Sequence, residues 1–443
     1  MKKLFVILFS FIFCNSFSQW TIVSTVPTSP LINSISVVDQ NLIWIGCDGG
    51  KVYRSTNGGV NWDLRNTGIP TGNVYGISAL DTSNCWIGNA SGSIYRTSDG
   101  GSTWIQQLSV PGSFSDGIHM FNSGYGIYYA DPAAASGQTF QYRYTTNGGT
   151  NWLLAPNAPV VSNEYGVVNA WDWLDTATIW LGVANAVSNA TNSKVYKATG
   201  GFAAGTFTFG QFGGSGTPDG LYSQGIGFTD ASFGMLGTNN GNIRRTTNGG
   251  STWTAVTNPP GIPSFAVNDM HSFKDGSNLI RIAMSSANVV QSWLYKTTDY
   301  GLTWIQETLP TSLQANPIQH MAFVNQTLGY AGCAGGIFVR YNGPSGISQS
   351  GGILPSEYKL EQNYPNPFNP STKINYSIPV SSKVTLKIYN TLGNEVSTLV
   401  NEFKSAGNYS AEFTAGSLLN SGVYFYTLTA GDFVSAKKFI LLK

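Results

Sequence analysis

Apolar and polar residues alternate in short segments that are separated by glycine-rich turns. Stretches such as "WIGCDGGKVYRS", "WIGNASGSIYRT" and "GMLGTNNGNIRRT" contain an apolar strand, a tight turn and a second strand. Shorter apolar segments such as "INSISVV", "VYGISAL" and "QGIGFTD" precede them. Short strands bounded by turn residues are typical of all-β domains. Together with a further strand after each unit's last turn, the pattern predicts four strands per unit.

The last turn of each unit recurs almost unchanged, and we call it the box. "STNGGVNW" at 55–62 returns as "TSDGGSTW", "TTNGGTNW", "TTNGGSTW" and "TTDYGLTW". Its Asn or Asp can accept hydrogen bonds from the turn, and its glycines can adopt positive φ angles. Its Trp offers a large apolar face for packing. We therefore expect structural roles for the box residues, which are Asn57, Trp62, Asp99, Trp104, Asn147, Trp152, Asn248, Trp253, Asp299 and Trp304.

The spacing of the boxes predicts the number of units. Their third positions are 42, 48, 101 and 51 residues apart, and the longest step contains a degenerate copy, "KVYKATGGFAAGTFTF". A last copy, "IFVRYNG", reaches Asn342 without its Trp, whereas "QWTIV" near the N-terminus places Trp20 in that position. Repeats of about 40–50 residues are typical of four-stranded propeller blades. Seven units, the last closed by Trp20 and Asn342, predict a seven-bladed β-propeller over 19–343.

The repeat resembles the BNR/Asp-box family. This family includes sialidases, sortilin-type receptors, xyloglucan-cleaving glycosidases and propellers similar to photosystem II assembly factors. The combination of Gly, Ile, Arg, the box and its Trp is most similar to the last group. The resemblance covers 20–343 and implies the fold. It implies little about chemistry, because members of the family perform unrelated functions on one scaffold.

A second β pattern follows a change in composition. The segment 344–357 is rich in Gly, Ser and Pro, which predicts a linker. The segment 358–443 then alternates apolar and polar residues in "KINYSIP", "KVTLKIYN", "NYSAEFTA", "GVYFYTLTA" and "SAKKFILLK". We expect a small antiparallel, immunoglobulin-like β-sandwich there.

The motifs "YKLEQNYPNPFNPSTKINYSIP", "YNTLGNEVSTLV", "GVYFYTLTAGDF" and "KKFILLK" resemble the type A C-terminal sorting domain of the type IX secretion system. The resemblance covers 358–443. It implies that the type IX machinery is a partner of the chain. It also implies that the protein is secreted or held on the outer surface of a Gram-negative bacterium.

The N-terminus has the pattern of a secretory signal peptide over 1–18. Lys2 and Lys3 precede an apolar run, and small residues at Ser16 and Ser18 suit the cleavage site. A lipoprotein anchor on Cys14 is the alternative, but bulky Phe13 precedes that cysteine. No later run approaches the ~20 apolar residues of a membrane helix, so no transmembrane segment is expected.

Composition narrows the possible partners. Only 10% of the residues are charged, the net charge is +1, and the few arginines are scattered, so nucleic acid is not an expected partner. Beyond the signal peptide the cysteines are Cys47, Cys85 and Cys333. An odd number without ligand spacing predicts neither a disulfide framework nor a zinc site. We expect no cofactor and no metal.

Catalytic patterns are weak. A sialidase needs an arginine cluster and an F/Y-R-I-P motif, which does not occur, and most arginines share one repeat position. A glycosidase needs two facing carboxylates about 5–10 Å apart. Asp172, Asp175, Asp219 and Asp269 are conceivable members of such a pair, but no spacing pairs them. A glycan-active hydrolase therefore stays open as the alternative.

The innermost strands of a propeller line its channel. We expect solvated polar residues there, among them His119, His271, His320, Asp172, Ser36 and Ser78.

Departures from a repeat indicate its binding face. The loops between the second and third strands are expanded in units 3, 4 and 6, on the rim opposite the boxes. The sequence therefore predicts a non-enzymatic module that binds polysaccharide or protein at this rim. Its candidate ligand-binding residues are Tyr128, Tyr129, Glu164, Tyr165, Asp219, Tyr222 and Trp293.

Overall fold

The structure is a computed structural model that describes most of the chain. The described residues are 19–134, 136–162, 164–185, 194–200, 206–211, 223–262, 265–286, 291–343, 357–379, 382–404, 407–415, 419–431 and 433–442. The predicted signal peptide and nearly all of the predicted linker lie outside them. The chain divides into two compact units, Met1–Pro344 and Ser345–Lys443.

The first unit contains seven four-stranded antiparallel sheets within its described residues, which we number as blades in chain order. Each blade is given by its strands from first to fourth. Blades 1 to 4 comprise Ile32–Val37, Ile43–Cys47, Val52–Ser55 and Asp63–Leu64; Val74–Ala79, Cys85–Asn89, Ser93–Thr97 and Ile105–Ser109; Ser115–Met120, Gly126–Ala130, Arg143–Thr145 and Leu153–Leu154; and Glu164–Asp175, Thr178–Asn185, Lys194–Thr199 and Thr206–Gln211.

The remaining three blades follow the same order. Blades 5 to 7 comprise Ser223–Phe228, Gly234–Thr238, Ile243–Thr246 and Thr254–Ala255; Ala266–Ser272, Ile280–Ser286, Gln291–Thr297 and Ile305–Glu307; and Ile318–Asn325, Leu328–Cys333, Ile337–Asn342 and Trp20–Thr25. A small extra sheet pairs Ser136–Thr139 with Val160–Ser162. Among the residues that the structure describes, single turns of 3-10 helix lie at Asp48–Gly50, Thr311–Leu313 and Ala334–Gly336.

The blades form a closed ring. The first strand of each blade contacts the first strand of the next, and the first strand of blade 7 contacts that of blade 1. Blade 7 combines both ends of the unit, because Trp20 pairs with Tyr341 and the N–H of Asn342 donates to the carbonyl of Gln19 at 2.8 Å. The Trp20 indole N–H also donates to Glu307 Oε2 at 3.1 Å. The prediction of an all-β propeller is confirmed.

Each box is closed by its own side chains. In blade 1, Ser55 Oγ accepts hydrogen bonds from the N–H groups of Asn57 and Gly59, and Asn57 Oδ1 accepts one from Asn61. The same bonds recur around Asp99, Asn147, Asn248 and Asp299. In the box of blade 6, Tyr300 replaces the first glycine and has a φ of 57°.

The boxes also join neighbouring blades. The Trp104 indole donates to the Arg65 carbonyl of blade 1 at 2.7 Å. In the other direction, Trp86 Nε1 and Arg96 Nη1 of blade 2 both donate to the Gly148 carbonyl in the box of blade 3. The Arg96 guanidinium also lies 4.8 Å from the Trp86 ring centroid. These repeated residues therefore hold adjacent blades together.

The second unit contains two antiparallel sheets in its described residues. One comprises Lys359–Leu360, Ser371–Ile378 and Gly407–Thr414. The other has the spatial order Glu395–Lys404, Ser382–Tyr389, Gly422–Ala430 and Phe433–Leu441. Alternate residues such as Ile374, Leu386 and Phe439 are fully buried in one hydrophobic core. The prediction that this unit is immunoglobulin-like stays a prediction.

Candidate functional site

Three of the predicted ligand-binding residues belong to blade cores. Tyr128 and Tyr129 are fully buried, and the Tyr128 hydroxyl lies 2.6 Å from Ser115 Oγ. Trp293 is 6% exposed and pairs with Met284 across the strands. Both faces of a middle strand are covered because each blade packs between two others. The expectation that these aromatic residues present a stacking surface is therefore wrong.

The other four predicted residues have different positions. Glu164 is buried and forms an ion pair with Lys194 at 2.5 Å. Tyr165 is partly buried and lines a cavity near the ring axis. Asp219 and Tyr222 lie outside the described residues.

A bulge occurs near the start of the first strand in all seven blades. The pairing with the second strand skips one residue in six of them. A bulge redirects its extra side chain. The extra residues are Asn33, Tyr75, Asp116, Gln224, Asn268 and Gln319. In blade 4 the bulge is larger and contains residues 167–170.

The bulged residues surround a cavity of about 560 Å³, which we call the mouth cavity. It lies where the first strands begin, on the rim opposite the boxes. Its wall also includes Phe114, Asp131, Tyr165 and His320. The rings of Tyr75 and Phe114 lie 4.8 Å apart. The mouth cavity therefore combines hydrogen-bonding side chains from every blade with an aromatic pair.

A second cavity of about 570 Å³ follows the axis toward the box rim, and we call it the channel cavity. The two cavities share wall residues, which are Tyr75, Asp116, Asn169 and His320. Asn169 belongs to the large bulge of blade 4. Its Nδ2 donates to the Gln319 carbonyl at 3.2 Å and to the Asn268 carbonyl at 3.4 Å. Asn169 has a φ of 70°, an uncommon value for a residue other than glycine. Blade 4 thus reaches blades 6 and 7 across the axis.

The channel cavity contains the polar residues predicted for it. These are Ser36, Ser78, His119, Asp172, His271 and His320. Burial lowers the pKa of each of the three histidines to about 3, so their imidazoles are neutral. Asp172 is paired with Lys274 at 2.8 Å. Within the described part of the chain, no group of three or more His, Cys, Asp or Glu side chains is arranged to hold a metal ion.

Two carboxyl groups meet in the wall of the mouth cavity. Asp131 Oδ1 accepts a hydrogen bond from the Gly166 N–H at 2.5 Å. A Cβ atom on Gly166 would overlap the Asp116 carboxylate, so this position requires glycine. Asp116 is 1% exposed, and neither of its carboxylate oxygens has a hydrogen-bond partner among the described residues. The backbone of Gly166 therefore packs between the two acidic side chains.

Burial raises the pKa of Asp116 well above its ordinary value, and the neighbouring Asp131 adds to this rise. Burial also raises the pKa of Asp131 to about 6, although the hydrogen bond from Gly166 opposes the change. Two nearby carboxyl groups in a buried site cannot both ionise without strong repulsion. The pair therefore retains a proton under mildly acidic conditions.

Sequence reasoning missed the bulged residues and the acidic pair. The segments "LINSIS", "NVYGIS" and "FSDGIH" contain a pattern that could have indicated these positions. Their third residues, Asn33, Tyr75 and Asp116, differ, whereas the residues that follow are similar. Asp131 begins the expanded loop of blade 3, which the sequence predicts to lie on the binding rim. The loop therefore leads to Asp131 in the wall of the mouth cavity, whereas Tyr128 and Tyr129, which precede it, lie in the core of the blade.

Comparison with protein-family models finds one match. Residues 362–442 match the secretion system C-terminal sorting domain. No curated protein matches the chain.

Solved structures match the propeller. A structure of YCF48 bound to a D1 peptide has a TM-score of 0.55 at 18% identity and covers 74% of this chain and 96% of its own. YCF48 from Cyanidioschyzon merolae has a TM-score of 0.53 at 17% identity, with coverage of 73% and 98%. The GH74 xyloglucanase from Xanthomonas campestris has a TM-score of 0.52 at 12% identity, with coverage of 81% of this chain and 59% of the enzyme. At these identities the likeness shows the fold alone.

The sorting-domain family indicates type IX secretion sorting and therefore export to the cell surface or beyond. In the described residues, no helix is both long and apolar enough to cross a membrane. The C-terminal unit of this chain belongs to the secretion system C-terminal sorting domains, and the unit ahead of it is a β-propeller.

Proposed function

We propose that this protein is a non-enzymatic binding module that works outside the cell and holds its ligand in the mouth cavity. The sorting domain supports the extracellular location, together with the signal peptide predicted over 1–18. Among the two classes of ligand expected from the sequence, we favour a polysaccharide. A protein ligand is the other.

The bulge positions carry this proposal. The box residues repeat from blade to blade and are occupied by bonds within and between blades. The bulge positions differ from blade to blade and converge on one cavity. The amide side chains of Gln224 and Gln319 can both donate and accept hydrogen bonds, as sugar hydroxyls do. A cavity of this size falls within the usual range for small-ligand sites.

A glycan array probed with the full mature protein tests this proposal. We expect retention of a defined group of glycans, and we expect Tyr75→Ala and Gln224→Ala to reduce it at least tenfold without changing the melting temperature. Val60→Ala is the matched control, because Val60 is an exposed residue of a box. If the Val60 variant loses glycan retention and the mouth variants keep it, the ligand binds at the box rim and the proposal is wrong.

A hydrolase is the second candidate, and the acidic pair favours it. Glycosidases use two carboxyl groups of which one is protonated near neutral pH. Asp116 and Asp131 have raised pKa values in one cavity. The same array, read for released sugar, tests this alternative. Cleavage by the parent protein that disappears in Asp116→Asn and Asp131→Asn, while retention remains, would support a hydrolase over a binding module.

A further inference from the structure

We propose that Asp116 and Asp131 select a glycan that carries a primary ammonium group, that is, an amino sugar rather than its N-acetylated or hydroxyl counterpart. This inference rests on the proposed glycan-binding function of the mouth cavity. It adds the chemical class of the ligand and the residues that recognise it.

The charge of the cavity is the first argument. Its described wall contains two acidic side chains and no lysine or arginine. His320, the histidine in the wall, is neutral because burial lowers its pKa to about 3. An isolated buried carboxylate is unfavourable unless it acquires a cationic or hydrogen-bonding partner. The cavity is therefore matched to a guest of positive charge.

The hydrogen-bonding capacity of Asp116 is the second argument. Both of its carboxylate oxygens lack a hydrogen-bond partner among the described residues, although Asp116 is only 1% exposed. Most buried polar atoms in proteins are paired, so an unpaired buried carboxyl points to a missing partner. A primary ammonium group has three donors and no acceptor. It can bond to Asp116 and to Asp131, which the Gly166 N–H holds in position.

The size and composition of the wall distinguish an organic amine from a metal ion. Calcium requires six to eight oxygen ligands close to one point. The described residues provide no cluster of three acidic or metal-ligating side chains. The remaining polar side chains come from separate blades around about 560 Å³, which is space for a sugar-sized group.

Binding of an ammonium group should release a proton from the acidic pair. Gly166 lies between Asp116 and Asp131. Burial and the negative charges of both carboxylates raise the pKa values of the Tyr128 and Tyr129 hydroxyls. Arg143 acts on Tyr128 from the outer part of blade 3. A cation favours the ionised carboxylates. The affinity for the amine should therefore increase as the pH rises through about 6, the pKa of Asp131 in the empty cavity.

Three β-1,4-linked tetrasaccharides that differ at carbon 2 test the inference by isothermal titration calorimetry. They are the glucosamine, N-acetylglucosamine and glucose tetramers. We expect the glucosamine tetramer to bind at least tenfold more tightly than the other two. The preference should be greater at about pH 6 than at about pH 5, because Asp131 loses its proton over this range while most of the amine stays protonated.

Variants separate the inference from the function on which it rests. Asp116→Asn and Asp131→Asn should abolish the preference for the amino form, while Asp63→Asn, at an exposed acidic residue of an outer strand, should retain it. Equal binding of all three sugars, still sensitive to Tyr75→Ala, would overturn the amine preference and leave glycan binding intact.

Other results would overturn the inference as well. These are retention of the preference in both acidic variants and failure of all three sugars to bind. Binding of calcium alone, or of a free peptide N-terminus in place of the amino sugar, would also overturn it.

Discussion

The two rims of the propeller use polar residues in opposite ways. On the box rim, the same residue types recur, and side chains such as Asn57 and Thr97 are occupied by bonds within their own turn. At the mouth cavity, the residue type changes from blade to blade, and the carboxylate of Asp116 has no partner among the described residues. Repeated polar residues on this scaffold therefore stabilise the ring, whereas the varied positions include a carboxylate, that of Asp116, that such bonds do not occupy.

The largest effect is expected from the box side. Trp86→Ala removes a fully buried indole, its bond to Gly148 and the ring beneath Arg96. We expect a loss of about 3–5 kcal/mol in the free energy of unfolding, the usual cost of such a truncation. Denaturant unfolding measures it. A loss below about 1 kcal/mol would contradict the role of this residue in joining blades.

A substitution in the mouth cavity, Asp116→Asn, should stabilise the folded protein instead of destabilising it. Because the folded state raises the pKa of Asp116, it holds the proton more tightly than the unfolded chain does. Stability is then highest below the unfolded pKa of about 4 and falls as the pH rises toward the folded pKa. Asp116→Asn should remove this loss and stabilise the protein by about 1–3 kcal/mol at neutral pH, with little gain near pH 4.

Melting temperatures measured from pH 4 to pH 8 test this expectation. Asp63→Asn should follow the parent protein, because exposed ion pairs contribute little to stability. If the difference in stability between the parent protein and Asp116→Asn does not change with pH, the acidic pair does not destabilise the folded protein in the way expected here.

The smallest effect is expected within a single box. Asn147→Ala removes the acceptor for the Asn151 N–H and for Thr145 Oγ. We expect a loss of about 1 kcal/mol, comparable to that of a lost side-chain cap, and no change in ligand retention. Denaturant unfolding and the glycan array provide the two measurements. If Asn147→Ala loses glycan retention while its stability is unchanged, the box rim also takes part in binding, and the two rims do not differ in role.

Much of the architecture was predictable because a repeated local signal has a repeated local cause. A serine or threonine, an Asn or Asp and a glycine form one turn in all five boxes, even where Tyr300 replaces the first glycine in blade 6. Trp20 could be assigned to blade 7 because its partner strand lacked a Trp. The sorting domain could be recognised from motifs that lie together in the chain, and the family match over 362–442 agrees.

The candidate site was not predictable in the same way. Tyr128, Tyr129 and Trp293 were expected on the surface because they depart from the repeat. Alternation along a strand cannot show that a neighbouring blade covers its second face. Nor does a local pattern show where a bulge turns a side chain such as Asp116 toward the axis.

The sequence by itself determined the turns, the strand count per unit, the division into a repeated part and a sorting part, and the direction of export. These depend on short-range bonding or on motifs contiguous in the chain. Only the tertiary structure decided which residues share the mouth cavity. Ring closure brings Asn33 of blade 1 and Gln319 of blade 7 to one axis, and packing of blade 4 against blade 3 places Gly166 between Asp116 and Asp131. These residues converge because whole blades pack together. A local sequence pattern does not show which residues distant in the chain come into contact.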